Sequence, residues 1–303
     1  MNQDIRITSN ENRLIAFILL LVLVAASNCC DNQGWEIEDP LKPGDQWPRY
    51  DYESPAWSPN DDYIVYSYLV DPYLELDTVG LYLYDLKDSS ATKFIAGTPR
   101  CPLTPDFSPD GEWLVFAWYE QIWKSKINGD SLTQLTFEGD INVKPSWSPN
   151  GRRIAYTSSN VRGVHIMNDD GTGDEFIVFG HSPDWLDDEH IVFCRNDLFS
   201  YDLGERREER ILAMHEDWIE TRSLAAKPGL PQLLFMAVYK EARRSDIWRV
   251  DVQGTNLLQL TGKGGDQPEW SPDGSMILYT NTALGRIWVM NRDGSKPRPL
   301  LGE

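Results

Sequence analysis

Cysteine is scarce in this chain. Four occur in 303 residues, at Cys29, Cys30, Cys101 and Cys194, and no C-x-x-C spacing exists. That leaves no thiolate metal spacing, and Cys101 and Cys194, which fall in separate repeat units, are expected to lie too far apart for a disulfide. Basic residues are few as well: 28 Lys and Arg against 47 Asp and Glu, a formal charge of −19. No Lys/Arg stripe is present, so nucleic acid is not an expected partner. The acidic excess also disfavours anionic lipid and is simplest read as a well-solvated surface. Histidine is limited to His165, His181, His190 and His215, without paired spacing. No cofactor or metal is therefore expected. There is no G-x-S-x-G phrase for a nucleophile elbow. Long apolar runs are missing except one, Leu14 to Ala26.

That run is too short to span a bilayer comfortably but suits a signal-peptide core. Small residues follow it, then Asn28, Cys29 and Cys30. The pattern resembles a bacterial lipoprotein signal, which implies lipidation of Cys29. Asn28 departs from it, since that family prefers Gly, Ala or Ser there. Cleavage after Ser27 with simple secretion, and an uncleaved anchor, are the alternatives. Residues 1–28 are thus expected to be a signal peptide. Residues 29–53 are expected to be a spacer, with Trp47 to Tyr52 packed on the domain that follows. Residues 54–303 form that domain.

What is abundant is a phrase. Trp57-Ser58-Pro59-Asn60, Phe107-Ser108-Pro109-Asp110-Gly111, Trp147-Ser148-Pro149-Asn150-Gly151 and Trp270-Ser271-Pro272-Asp273-Gly274 each precede a short apolar run. Repetition at about 40 residues is the mark of a repeat architecture. Proline presets φ, Asn and Asp bond their own backbone, and Gly accepts positive φ, so each phrase is a tight turn between strands. In the third copy the strands are Pro145 to Ser148, Arg153 to Thr157, Val164 to Asn168 and Glu175 to Val178. Two units are degenerate. One keeps Pro183-Asp184-Trp185 with Leu186 to Glu189 as its turn, and the other keeps Lys227-Pro228-Gly229. Six units of four antiparallel strands predict an all-β chain, a six-bladed β-propeller with the sheets stacked radially. A β-sandwich with coincidental turns is the alternative. Each repeat supplies all four strands of its own blade, so ring closure is expected to rest on face packing, with Trp47 to Tyr52 as a possible addition.

The phrases from Lys144 to Thr157 and from Asp266 to Gly274 resemble the TolB-type propeller repeat. The resemblance runs from Pro55 to Leu301. It implies a six-bladed scaffold that binds envelope proteins. TolB also carries an N-terminal α/β domain, for which too few residues precede the first blade. Related propellers gate prolyl-oligopeptidase-type enzymes, whose hydrolase domain has no counterpart here.

Propellers place function on loops at a channel mouth. The variable loops at the ends opposite the Ser-Pro turns are the expected face. Asp140, His181, Arg222 and Asp266, each placed just before an innermost strand, are the candidate mouth residues. Their structural alternative is capping of backbone N–H groups at blade ends. Trp118 and Trp218 fall near loops and are candidate ligand contacts. Trp123, Trp248 and Trp288 repeat in phase and read as core, and Cys194 likewise. The turns at Asp169 to Gly171 and Asn128 to Asp130 lack the distal Glu and flanking helices of an EF-hand. The chain is therefore expected to be a non-catalytic, exported, monomeric scaffold for an envelope protein or peptide. It would sit in the periplasm or on the outer membrane, or be secreted. The alternative is a carbohydrate-binding or lyase-like propeller.

Overall fold

The computed structural model describes residues 52–68, 79–96, 103–137, 141–159, 163–242 and 244–301. The expected signal peptide, Cys29, Cys101, Asp140 and the segment Trp47 to Asp51 lie outside the described residues. The described chain is built from six four-stranded antiparallel sheets, each continuous in sequence. Blade 1 comprises β1 (Tyr52–Trp57), β2 (Tyr63–Tyr68), β3 (Gly80–Asp85) and β4 (Ala91–Ala96). Blade 2 is β5 (Leu103–Phe107), β6 (Trp113–Trp118), β7 (Gln121–Lys126) and β8 (Thr133–Gln134). Blade 3 is β9 (Asn142–Trp147), β10 (Arg153–Ser158), β11 (Gly163–Asn168) and β12 (Glu175–Phe179). Blade 4 is β13 (His181–Trp185), β14 (His190–Arg195), β15 (Asp197–Asp202) and β16 (Arg207–Leu212). Blade 5 is β17 (Trp218–Ala225), β18 (Gln232–Tyr239), β19 (Ser245–Asp251) and β20 (Leu258–Gln259). Blade 6 is β21 (Asp266–Trp270), β22 (Met276–Asn281), β23 (Arg286–Asn291) and β24 (Arg298–Pro299).

The first strands touch one another in cyclic order, from β1 through β5, β9, β13 and β17 to β21 and back to β1. They form the wall of a central channel. The second strand of each blade is its most buried, because both of its faces meet neighbouring blades. Each junction between blades has its own apolar cluster. Val115, Trp147, Ile154 and Met167 join blades 2 and 3, for example. Cys194 is fully buried in the cluster between blades 4 and 5, so it packs as a small hydrophobe.

The repeated turns explain the phrase atom by atom. Ser148 Oγ accepts the Arg153 N–H at 2.9 Å and donates to Asn150 Oδ1 at 2.9 Å. Ser271 does the same with Met276 and Asp273. Gly151 and Gly274 close these turns at φ 70 and 69. In the degenerate fourth unit Asp187 Oδ1 substitutes for the serine, accepting N–H bonds from Glu189 and His190. Bonds made within each turn are joined on this face by bonds between blades, such as the Asn150 N–H to Asp188 Oδ1 at 2.9 Å.

Two sequence expectations change. The first blade begins at Tyr52, so Tyr52 and Glu53 belong to β1 rather than to a spacer. Ring closure also has a polar component. Gln267 Oε1 accepts the Ser54 N–H at 2.7 Å, and its Nε2 donates to Ser54 Oγ at 2.9 Å, across the seam between blades 6 and 1. Around it pack Ile64, Tyr66, Leu278 and Ile287. Ser54 is 5% exposed. Gln267→Ala leaves its N–H without that acceptor and is expected to cost about 2 kcal/mol, or about 4–8 °C of melting temperature. Thermal unfolding by circular dichroism checks this. A melting point unchanged by the substitution would return closure to apolar packing alone.

Candidate functional site: the charged channel

Every first strand carries the same irregularity. Pairing with the second strand slips between Glu53 and Ala56, Leu103 and Asp106, Val143 and Ser146, His181 and Asp184, Arg222 and Ala225, and Asp266 and Glu269. At each slip one non-glycine residue is left-handed: Ser54, Thr104, Lys144, Ser182, Ser223 and Gln267, with φ between 48 and 53. Six β-bulges at equivalent positions re-aim six polar side chains. They bond from blade to blade: Ser223 Oγ to Asp266 Oδ1 at 3.0 Å, Lys144 N–H to Thr104 Oγ1 at 3.3 Å, and Lys144 Nζ to Ser182 Oγ at 2.8 Å.

On the mouth side of this tier stand Glu53, His181, Arg222 and Asp266. Arg222 pairs with Glu220 on its own strand. Burial, and then the charges of Lys144 and Arg222, hold His181 down to about 3, so it is neutral. Burial, with Arg222 adding to it, also depresses the Lys144 amine. Glu53 is pushed up to about 7, by burial first and by Asp266 second.

Beyond the bulge tier lies a second one. The residue between the proline (or Leu224) and the following aromatic (or Ala226) is Ala56, Asp106, Ser146, Asp184, Ala225 and Glu269 in turn. Carboxylates thus fall on alternate blades: 2, 4 and 6. Asp184 Oδ1 accepts from Ser146 Oγ at 2.6 Å, and its Oδ2 from the Ala226 N–H at 2.7 Å, joining blades 3, 4 and 5. Asp106 Oδ2 accepts the Trp147 N–H at 2.7 Å. Burial raises Asp184 to about 6 despite those bonds, and raises Asp106 to about 8. Glu269 is raised well above the carboxylate range, by burial and then by Asp184 and Asp106, with Lys227 opposing. The three sense one another but do not converge. Among the described residues no group of three acids, histidines or cysteines is placed to hold a metal ion.

Of the residues singled out in the sequence, His181, Arg222 and Asp266 stand together at the mouth. His181 and Asp266 open their strands, whereas Arg222 lies inside β17, which starts four residues earlier at Trp218. Trp218 is 1% exposed and packs on Phe235 and Trp248. It is core, not a ligand contact. Trp118 is partly exposed and leans on Tyr119 and Trp123. The four histidines are dispersed. His165 faces Asp174 in blade 3, His190 contacts Asp187 and Asp202 at the turn face, and His215 lies beside Asp217. Lys144, Asp106, Asp184 and Glu269 were not singled out. The available signal was their place beside the repeated proline, where a strand must alternate between blade interior and channel.

The four most exposed large apolar side chains, Phe137, Phe179, Leu284 and Ile219 at 49–68%, all lie at the mouth end of the strands. The turn face holds none of these four.

The fold and channel define a closed six-bladed propeller with a charged central passage. Residues 49–193 match the family model described as the TolB beta propeller domain. The chain thus resembles the TolB-like propeller family over its first three blades and into the fourth. The Tol-Pal system protein TolB of Francisella tularensis subsp. mediasiatica is 30% identical over 198 residues, covering 59% of this chain and 45% of that protein. The chain spans about half the length of the curated relatives it matches. Among solved structures, TolB from Acinetobacter baumannii superposes with a TM-score of 0.66 at 16% identity, covering 76% of this chain and 61% of that one. An oligogalacturonate lyase solved with manganese superposes with a TM-score of 0.55 at 12% identity, covering 83% and 76%. At these identities the superpositions show the fold alone.

Proposed function

We propose that this chain is a non-catalytic scaffold of the cell envelope whose propeller mouth receives a protein or peptide partner. In this reading the chain is exported, held by lipid at Cys29 and monomeric. The observation that carries it is the meeting, on one face, of the charged channel mouth and the four most exposed large apolar side chains. A rim of apolar contacts around oriented charges suits protein recognition. The relatives named as Tol-Pal system proteins support the same class of function. A carbohydrate-active reading needs a stacking platform and gathered histidines. Trp218 is buried and the histidines are scattered, so that reading has less support.

In-cell crosslinking of a tagged full-length chain, followed by purification from the membrane fraction, tests the proposal. One stoichiometric partner is expected, lost in the Arg222→Ala, Asp266→Ala double variant. Recovery of the chain alone would overturn the scaffold reading.

A further inference from the structure

Lys144 is the exception in its tier. The equivalent positions in the other blades hold Ser54, Thr104, Ser182, Ser223 and Gln267, all neutral. Its ammonium has three N–H donors, and its one side-chain hydrogen bond among the described residues is to Ser182 Oγ at 2.8 Å. No carboxylate bonds it there. Its charged neighbours are Arg222, which opposes its charge, and Asp266 and Glu220, which favour it. Those two acids are already engaged: Glu220 with Arg222, and Asp266 with Ser223 Oγ and the Gln267 N–H. His181, the remaining base facing this point, is neutral. A cation enclosed by protein without a bonded counter-ion is costly, and an anion placed against it would offset that cost.

Two residues deeper along the strands stand acids instead, which burial and one another keep partly protonated near neutrality and which a bound cation would help to ionise. Asp106, Asp184 and Glu269 are spread around the passage, with Lys227 the only cation beside them among the described residues. At about 3.3 Å per residue the two tiers are about 6–7 Å apart. They call for a ligand with an anion and an organic cation separated by that distance. An extended lysine side chain carries its ammonium on the order of 6 Å from the backbone. Because the three carboxylates do not converge on one point, they suit a flexible ammonium or guanidinium better than a metal ion.

We infer that the channel binds the C-terminus of a peptide ending in lysine or arginine, its terminal carboxylate against Lys144, Ser182 and Arg222 and its basic side chain among Asp106, Asp184 and Glu269. This rests on the mouth being the partner-binding face. It goes further in naming the part of the partner that enters.

The probes are acetyl-Ala-Ala-Lys, the same peptide with an amidated C-terminus, and acetyl-Ala-Ala-Ala, titrated calorimetrically into the folded chain at pH 7. The free acid ending in lysine is expected to bind at least about tenfold more tightly than either of the others, the difference one charge-assisted contact makes. Lys144→Met should weaken it by a similar factor, with its melting temperature measured alongside. Lys144→Arg should retain binding, and serves if the methionine variant fails to fold. Equal affinity for acid and amide, or unchanged affinity in Lys144→Met, would overturn the terminal-carboxylate site. Equal affinity for the alanine-ended peptide would overturn the basic arm. Absence of heat with all three peptides at millimolar concentration would overturn both. If crosslinking still captures a partner through Arg222 and Asp266, the scaffold reading survives that failure.

Discussion

Replacing Asp184 with alanine is expected to lower the melting temperature by about 6–12 °C, corresponding to about 3 kcal/mol for a domain of this size. The carboxylate accepts from Ser146 Oγ, from its neighbour's Trp185 N–H at 2.8 Å, and from the Ala226 N–H. Those donors belong to three consecutive blades. Alanine removes the acceptor of two amides and a hydroxyl in the wall at once, the situation in which lost bonds cost most. One effect runs the other way. Asp184 repels Asp106 and Glu269, and deleting it relieves both. Hydrogen bonds to charged groups outweigh that relief, because the carboxylates keep part of their surface open to channel water, which screens repulsion. Ser146→Ala removes one donor and one bond together and should cost no more than about 1 kcal/mol. Thermal melts of the two variants check the ordering. An Asp184→Ala protein as stable as Ser146→Ala would show that the carboxylate does not join the blades.

Stability is also expected to fall as the pH rises from 6.5 to 8. Glu53, Asp106 and Glu269 have their pKa values raised in the folded state, to about 7, to about 8 and well above the usual range. In that window the folded chain therefore holds protons that the unfolded chain has released. Stability then declines with pH, the reverse of the usual behaviour of paired carboxylates. His181 acts oppositely but elsewhere. Its pKa is lowered to about 3, so it favours folding increasingly as pH rises from 3 to 6.5. Asp184, at about 6, adds to the acids below neutrality. The decline therefore begins below pH 6.5, since four raised acids outweigh the one lowered histidine. Discounted for solvent in the channel, the loss between pH 6.5 and 8 is about 2 kcal/mol, or about 4–8 °C. Melting curves across this range test it, with Asp106→Asn and Glu269→Gln expected to flatten the slope. A melting temperature independent of pH from 6.5 to 8 would show that these acids ionise normally in the fold.

The architecture was legible from the sequence because its turn chemistry is local. Ser148, Pro149, Asn150 and Gly151 specify a turn whatever surrounds them, and the following strand alternates in phase. The degenerate fourth unit was placed correctly because Trp185 and the run from Ile191 to Cys194 kept that phase, while Asp187 supplied the missing acceptor. Blade 5 was less legible. Its first strand extends back to Trp218, so a segment from His215 to Arg222 that reads as loop is largely strand. Leu224 and Ala226, where other blades have Pro and an aromatic, removed the marker of its register. His181, Arg222 and Asp266 were singled out because each reads as lying just before an innermost strand. Lys144 and the alternate-blade carboxylates were not, because their significance depends on the bulge. A left-handed residue in the strand re-aims its neighbours, and backbone pairing across 10 to 15 residues decides where it forms.

The seam has a consequence for how the molecule comes to exist. Each blade pairs only with itself, and the bonds that shut the ring connect Ser54 to Gln267, 213 residues away. During synthesis five blades can form and stack as an open arc while the last is still being made. Throughout that interval the first blade presents Ile64 and Tyr66 with no cover. A ribosome stalled before Gln267 would thus release an arc with an apolar face at each end, a natural substrate for chaperones and for joining head to tail with another arc.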